Sequence, residues 1–164
     1  MTTELQRHTM RRIRALYGIA THASWPRYRH RDAQSPLVIG ILDDPHLART
    51  AREFLTGRLA HRRPLWIENY SDVESLAVCH LLYLGDCDHD TYQQARAFAS
   101  GRQVLVVAEA ESNLKPPPPI ALYETPGRIR VDIDPTACVR SNVKLAPQLL
   151  ALSAPPPSEG ADSQ

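Results

Sequence analysis

The spacing of apolar and polar residues predicts a helix followed by a buried strand in the first quarter of the chain. Apolar residues recur at three- and four-residue steps between residues 10 and 23, as one stripe of an amphipathic helix requires: Met10, Ile13, Leu16, Tyr17, Ala20 and Ala23. Trp25-Pro26 ends this helix, because the residue before a proline is disfavoured in the helical region. The apolar run at residues 37–42 is bounded by turn residues and predicts a strand buried on both faces.

Strand and helix patterns then alternate along the chain. Asp44 and Pro45 form a helix start, and this helix should end near Gly57. The next segments are predicted as a strand at 64–70, a short capped turn or helix at 71–77, a strand at 79–85, a helix at 90–100 and a strand at 103–109. Successive strand and helix units of this kind produce right-handed crossovers and a mainly parallel sheet.

The last third of the chain has a different pattern. Pro116–Pro119 form a stiff connector that cannot lie inside a sheet. Two strand patterns, at 120–125 and 128–134, flank the turn pair Pro126-Gly127 and predict an antiparallel hairpin. A short helix from Asp134 through Cys138 and a final apolar turn at 147–152 follow. The predicted fold is therefore α/β and three-layered, with a mainly parallel sheet of about five to six strands, helices on both faces and a C-terminal antiparallel hairpin.

The length of 164 residues is typical of a single domain. We expect a flexible N-terminus at residues 1–9, a single α/β domain at 10–152 and a disordered Pro- and Ser-rich tail at 153–164. The start MTTELQRH lacks the apolar segment of a secretory signal. Taken literally this is a cytoplasmic chain, but a mature exported chain whose leader was removed fits equally well.

The charge balance argues against one class of function and leaves another open. Lys+Arg 19 against Asp+Glu 18 gives a net charge of +1, which does not suit a dedicated nucleic-acid-binding protein. Seven arginines nevertheless lie within the first 31 residues, with Glu4 as the only acid. This basic segment is either a solvated helix face or a docking surface for an acidic partner.

Acidic residues at predicted strand ends suggest one possible chemistry. Asp43 and Asp44 follow the first strand and Asp86 follows the third, where the receiver domains of two-component systems hold Mg²⁺ and accept phosphate. A receiver also needs a lysine at the end of a fifth strand, and Lys115 comes too early for that. Helix capping by Asp44 and a turn at Asp86 are the simpler explanation. A degenerate receiver-like phosphoacceptor domain and a small-molecule-binding module remain as alternatives.

The cysteines and histidines form no recognisable catalytic or metal motif. Three cysteines are too few for a disulfide scaffold or a zinc cluster, and the histidines are scattered, so no metal or cofactor is expected. Cys79 precedes His80, but neighbours on a strand point to opposite faces and do not make a catalytic pair. Cys79 is either a buried core thiol or a redox-active half of a disulfide.

Several short segments, taken in order, carry a resemblance. They are the helix ending at Trp25-Pro26, LVIGILDD with Pro45 behind it, HRRP, Cys79 opening CHLLYLG, GRQVLVVAE, GRIRVDID, Ala137 and PQLLALS. From about Arg11 to Leu152 this order resembles the YfiR-like family of small periplasmic regulators. Val131 and Asp134 depart from the family's usual aromatic residue and Asn. Some members bridge the Cys79 position to a cysteine just after the GRQVLVVAE strand, where this chain has Ala110 and no cysteine.

The resemblance implies a regulatory binding protein and not an enzyme. Such a protein would bind the periplasmic sensor region of an inner-membrane diguanylate cyclase, repress it, and so lower cyclic-di-GMP and biofilm formation. Capture by an outer-membrane lipoprotein or a redox change would release the cyclase. The resemblance also implies a periplasmic location, with the signal peptide already removed, and we expect a homodimer.

Two groups of residues are candidates for binding the partner. One is the segment 142–147, where Val143 and Leu145 either form an apolar contact patch or close the bottom of the core. If they form a patch, changing either residue to Glu would leave the fold intact and abolish repression. The other group is the basic N-terminal segment with Arg11, Arg14 and Arg27. Trp25 is either an interface anchor or a plug beneath the helix end.

Overall fold

The computed structural model describes residues 3–109 and 114–152, and the predicted tail at 153–164 lies outside the described residues. The helices are α1 (Glu4–His22), α2 (Pro45–Leu55), α3 (His89–Ala99), α4 (Pro135–Arg140) and α5 (Pro147–Leu152). The strands are β1 (Ala23–Ser24), β2 (Leu37–Leu42), β3 (Leu59–Ala60), β4 (Arg63–Tyr70), β5 (Leu81–Leu84), β6 (Leu105–Glu109), β7 (Ile120–Thr125), β8 (Arg128–Ile133) and β9 (Lys144–Leu145). Short 3₁₀ turns occur at Arg27–Arg29 and Val73–Ser75.

The main sheet is mixed and has seven strands in the order β3-β4-β2-β5-β6-β7-β8. Strand β2 pairs in parallel with β4 and β5, and the parallel pairing continues through β6 to β7. The edge strands β3 and β8 pair antiparallel with their neighbours. The predicted α/β class and the C-terminal hairpin are confirmed. The strand number exceeds the predicted five to six, because β3 adds a two-residue edge strand that no pattern indicated.

Two apolar clusters make up the core, and they use opposite-facing side chains of the same strands. Leu81 and Tyr83 belong to the first cluster, with residues of α1 and α2. Leu82 and Leu84 belong to the second cluster, with residues of α3. Successive side chains of a strand point to opposite faces. Strand β5 therefore has α1 and α2 packed on one face and α3 on the other.

Helix α1 begins at Glu4, six residues before the predicted start. The Thr3 hydroxyl accepts a hydrogen bond from the Gln6 backbone N–H, and the Gln6 side chain accepts one from the Thr3 N–H. This reciprocal capping satisfies two backbone donors that an uncapped helix end leaves free. Residues 4–9, expected to belong to a flexible N-terminus, are therefore helical.

A second, two-stranded sheet joins the end of α1 to the C-terminal part of the domain. Strand β1 pairs antiparallel with β9, with Ala23 opposite Leu145. The Ala146 N–H also donates to the His22 carbonyl at 2.7 Å. No turn or alternation signal predicted this pairing, because each strand has only two residues and they are far apart in the sequence.

Candidate partner-binding surface

A groove of about 350 Å³ runs between α1, β8 and α5. Its lining joins an apolar floor to a basic rim. The floor includes Ala15, Gly18, Ile19, Ile129, Val131 and Leu149, and the rim includes Arg11, Arg14 and Arg128. We call this the α1 groove. The groove forms because the large apolar side chains of α1 pack into the core. The side of α1 next to β8 therefore carries mainly small residues and arginines.

The two predicted arginines of α1 have different environments. The Nη2 of Arg11 lies 3.1 Å from Glu4 and 3.3 Å from Glu124, and only 16% of its side chain is exposed. Arg14 is exposed, and its guanidinium carbon lies 5.8 Å from the centre of the Phe54 ring. Arg11 is therefore neutralised within the protein, whereas the charge of Arg14 faces solvent at the rim of the groove.

A buried ion pair that the sequence did not indicate fixes α1 to the sheet. The Nε and Nη2 of Arg12 donate to the two carboxylate oxygens of Glu109 at 2.8 and 3.0 Å. The Tyr83 hydroxyl donates to the same carboxylate at 2.5 Å, and Glu109 is 3% exposed. Burial and the neighbouring Glu109 charge raise the pKa of Tyr83, which keeps this hydroxyl protonated as a donor. Glu109 is the last residue of β6, so the pair sets the position of α1 over the carboxyl end of that strand.

Trp25 and Arg27, two further candidates for partner binding, differ in their burial. Trp25 is 7% exposed and belongs to the first core cluster, with its ring 5.6 Å from that of His80 in an edge-to-face arrangement. Arg27 is exposed, in the 3₁₀ turn that follows. The burial of Trp25 matches a plug beneath the helix end and leaves Arg27 as the accessible candidate of the two.

Val143 does not lie on the surface. It is 4% exposed and packs in the first core cluster, where α5 contributes Leu149. Leu145 is half-buried, since it pairs with Ala23 in the small sheet and packs against the same cluster. This burial does not favour an apolar contact patch centred on Val143, whose role in partner binding stays a prediction. The alternative, that these residues close the core, agrees with the packing.

All three cysteines are unpaired, and two of them are buried. Burial raises the pKa of the Cys79 thiol to about 12, against a smaller opposing effect of Arg29. Burial likewise raises the pKa of Cys138 to about 12. Cys87 is half-buried, and burial also raises its pKa. The structure thus places Cys79 as a core thiol, in the second cluster.

The acidic residues at the strand ends do come together. Asp43, Asp44 and Asp86 line a cavity of about 640 Å³ with three more carboxylates, Asp72, Glu74 and Asp88. This cavity lies where the strand order reverses between β2 and β5, the usual ligand position in open α/β sheets. It is polar, unlike the apolar pocket that a small-molecule-binding module would need.

Several of these carboxylates have structural roles. Asp44 accepts from the Leu47 N–H at 3.1 Å, Asp72 from the Ser75 N–H at 2.9 Å, and Asp88 from the Thr91 N–H at 2.8 Å, each at the start of a helix or helical turn. Lys115 precedes β7, and its carbonyl accepts from the Gln93 side chain at 2.7 Å. Within residues 3–109 and 114–152, no three His, Cys, Asp or Glu side chains are grouped closely enough to hold a metal ion. Capping is therefore the role that the geometry gives Asp44.

Comparison with known proteins identifies the family. None of the helices in the described ranges combines the length and the apolar character needed to cross a bilayer. No curated protein matches the chain significantly. A family model described as YfiR/HmsC-like matches residues 11–154, which is most of the chain. The chain therefore belongs to the YfiR/HmsC-like family, a family of periplasmic regulators and not of enzymes.

Proposed function

We propose that this protein is a periplasmic repressor that binds the periplasmic sensor region of an inner-membrane diguanylate cyclase and thereby lowers cyclic-di-GMP and biofilm formation. Membership of the YfiR/HmsC-like family supports a periplasmic regulatory role in this signalling system. The α1 groove, in which arginines surround an apolar floor, is the observation that supports the location of the partner-binding site. Of the predicted partner-binding residues, Arg11 and Arg14 line it.

The groove has the properties of an interface anchor site. Its volume of about 350 Å³ is at the lower end of the range for ligand pockets and suits one or two apolar side chains of a partner. Anchors in desolvated pockets carry most of the binding energy of protein interfaces. Arg14 and Arg128 are exposed beside it and would attract carboxylates, which raises the association rate and sets orientation. The matching partner segment carries an apolar anchor flanked by acidic residues.

Repression by such a protein needs no bond chemistry. A protein that binds the inactive state of a cyclase more tightly than the active state shifts the cyclase toward inactivity by mass action. Capture of the repressor by another protein, such as an outer-membrane lipoprotein, would reverse the shift. A homodimer would present two α1 grooves to its partner.

The test is to fill the groove without disturbing the fold. A Cβ atom added at Gly18 meets no heavy atom within 4 Å, so Gly18→Leu places a side chain in the groove. Leucine is also the better helix former of the two residues. The matched control is Ala97→Leu, at an exposed position of α3. Binding to the purified sensor region of the cyclase is measured by calorimetry.

We expect Gly18→Leu to weaken binding at least tenfold and Ala97→Leu to leave it unchanged. If Gly18→Leu binds like the unmodified protein, the groove is not the contact surface. If the unmodified protein does not bind the sensor region at all, the proposed function is wrong.

A further inference from the structure

His80 is buried under the segment 25–36, which links β1 to β2, and both of its ring nitrogens are hydrogen-bonded. Its Nδ1 accepts from the Val38 N–H at 3.0 Å, and its Nε2 lies 3.2 Å from the Arg29 carbonyl. Because Nδ1 is an acceptor, the ring proton is on Nε2, which donates a hydrogen bond to the Arg29 carbonyl oxygen. Only the neutral form of the ring satisfies both bonds, and His80 is 4% exposed.

Two rings of the linking segment pack on His80. The His30 ring stacks on it with centroids 4.8 Å apart, and the Trp25 ring meets it edge-on at 5.6 Å. The guanidinium of Arg29 donates to the Cys79 carbonyl beside it. The segment is thus held against β2 and β5 by contacts centred on one imidazole, and the Arg63 side chain of β4 adds hydrogen bonds to the Asp32 and Ser35 carbonyls.

The charged groups around this stack are mostly cations. Burial, and the charges of Arg29, His30 and Arg63, lower the pKa of His80 to about 4. Burial and the charge of Arg63 also lower the pKa of His30. The Cys79 thiol is neutral because burial raises its pKa to about 12. The carboxylate on the segment, Asp32, accepts from the Gln34 N–H.

A proton added to the stack would have no acceptor in the closed arrangement. On His80 it would place a new N–H against the Val38 N–H. On His30 it would leave Nδ1, a buried atom without a hydrogen-bond partner, carrying an unpaired proton. Unpaired buried donors are costly, and buried unpaired charges cost more.

We propose that the His80–His30–Trp25 stack is an acid-sensitive latch: protonation of His80 breaks its bond with Val38 and releases the segment 25–36 from a sheet that stays folded. In the open state His80 is no longer buried and binds the proton at an ordinary histidine pKa of about 6.5. The closed state is therefore fully favoured above that pH and is lost as the pH falls toward 4, by about tenfold in the opening equilibrium per pH unit. This latch does not depend on the proposed function.

Hydrogen exchange tests the latch in the full-length chain. The Val38 amide reports directly on the bond to His80, and the Val106 and Val107 amides in β6 report on the sheet. Between pH 6.5 and 4.5 we expect the protection factor of Val38 to fall about tenfold per pH unit while those of β6 hold. The variant His80→Asn keeps an oxygen acceptor and does not titrate, so the Val38 protection should then be independent of pH. His46→Asn, at an exposed position of α2, is the matched control and should behave like the unmodified protein.

A second readout covers the case in which His80→Asn does not fold. Trp66→Phe leaves Trp25 as the only tryptophan, and its quenching by acrylamide should rise over the same pH range while the far-UV circular dichroism stays native. The latch is refuted by constant Val38 protection from pH 6.5 to 4.5, by loss of Val38 and β6 protection together, or by an acid transition that persists in His80→Asn.

Discussion

Arg12 and Glu109 form a two-bonded ion pair inside the protein, with the side chains 12% and 4% exposed. The pair joins the first helix to the carboxyl end of β6, and Tyr83 donates to the same carboxylate. A planar guanidinium matches a carboxylate with two parallel bonds, which a lysine cannot do. The position of α1, and with it one wall of the α1 groove, depends on this contact.

The first prediction concerns the removal of Arg12. Arg12→Met leaves the Glu109 carboxylate buried without its cation, and such a change costs about 3–5 kcal/mol of unfolding free energy. Urea denaturation followed by circular dichroism measures the change. The control is Arg7→Ala, which breaks an exposed pair with Glu4 on the same helix and should leave the midpoint unaltered. If both variants unfold at the same urea concentration, the buried pair does not stabilise the fold.

The second prediction concerns Val143. A carboxylate in the core has neither water nor a partner, so Val143→Glu should lower the unfolding free energy by more than about 3 kcal/mol and abolish a native thermal transition. Leu145→Glu, at a half-buried position two residues later, should retain a native far-UV spectrum with a lower melting temperature. A native melt for Val143→Glu would show instead that Val143 is available to a partner.

The third prediction concerns thiol reactivity. The thiolate is the reactive form, and burial holds the pKa of Cys79 and Cys138 at about 12. At pH 8, iodoacetamide should therefore modify the half-buried Cys87 first, and the other two only after unfolding. Intact-mass spectrometry counts the adducts, and Cys87→Ser should remove the early one. If Cys79 is modified before Cys87 in the folded protein, the prediction is wrong, and the result favours the redox role that the family resemblance suggested for Cys79.

Signals that act over a few residues predicted much of the fold. The apolar run of β2, the cap formed by Asp44 and Pro45, and the hairpin turn at Gly127, whose φ is 78°, were each readable from neighbouring residues. The early start of α1 was readable too, since Thr3 and Gln6 have capping-box spacing. That signal was missed because the apolar stripe begins later.

Relationships between distant segments were not predictable in this way. Arg12 and Glu109 are 97 residues apart, and an arginine on a helix or an acid at a strand end has many possible partners. Val143 stands among polar residues, and its burial depends on the pairing of β1 with β9. The α1 groove combines α1, β8 and α5, so that its existence follows from tertiary packing and not from any one motif.

The packing of α1 also bears on how this polypeptide acquires its structure. Helix α1 is made before all the elements that contact it, and two of these, β8 and α5, lie near the end of the described residues. Contacts between such distant segments form slowly, because the chain loses the entropy of closing a large loop before the contacts stabilise it. Helix α2 can cover part of the apolar side of α1 early, but the part that faces β8 and α5 stays uncovered until those elements have been made. The full set of contacts on α1 therefore forms only after the last described elements have been made.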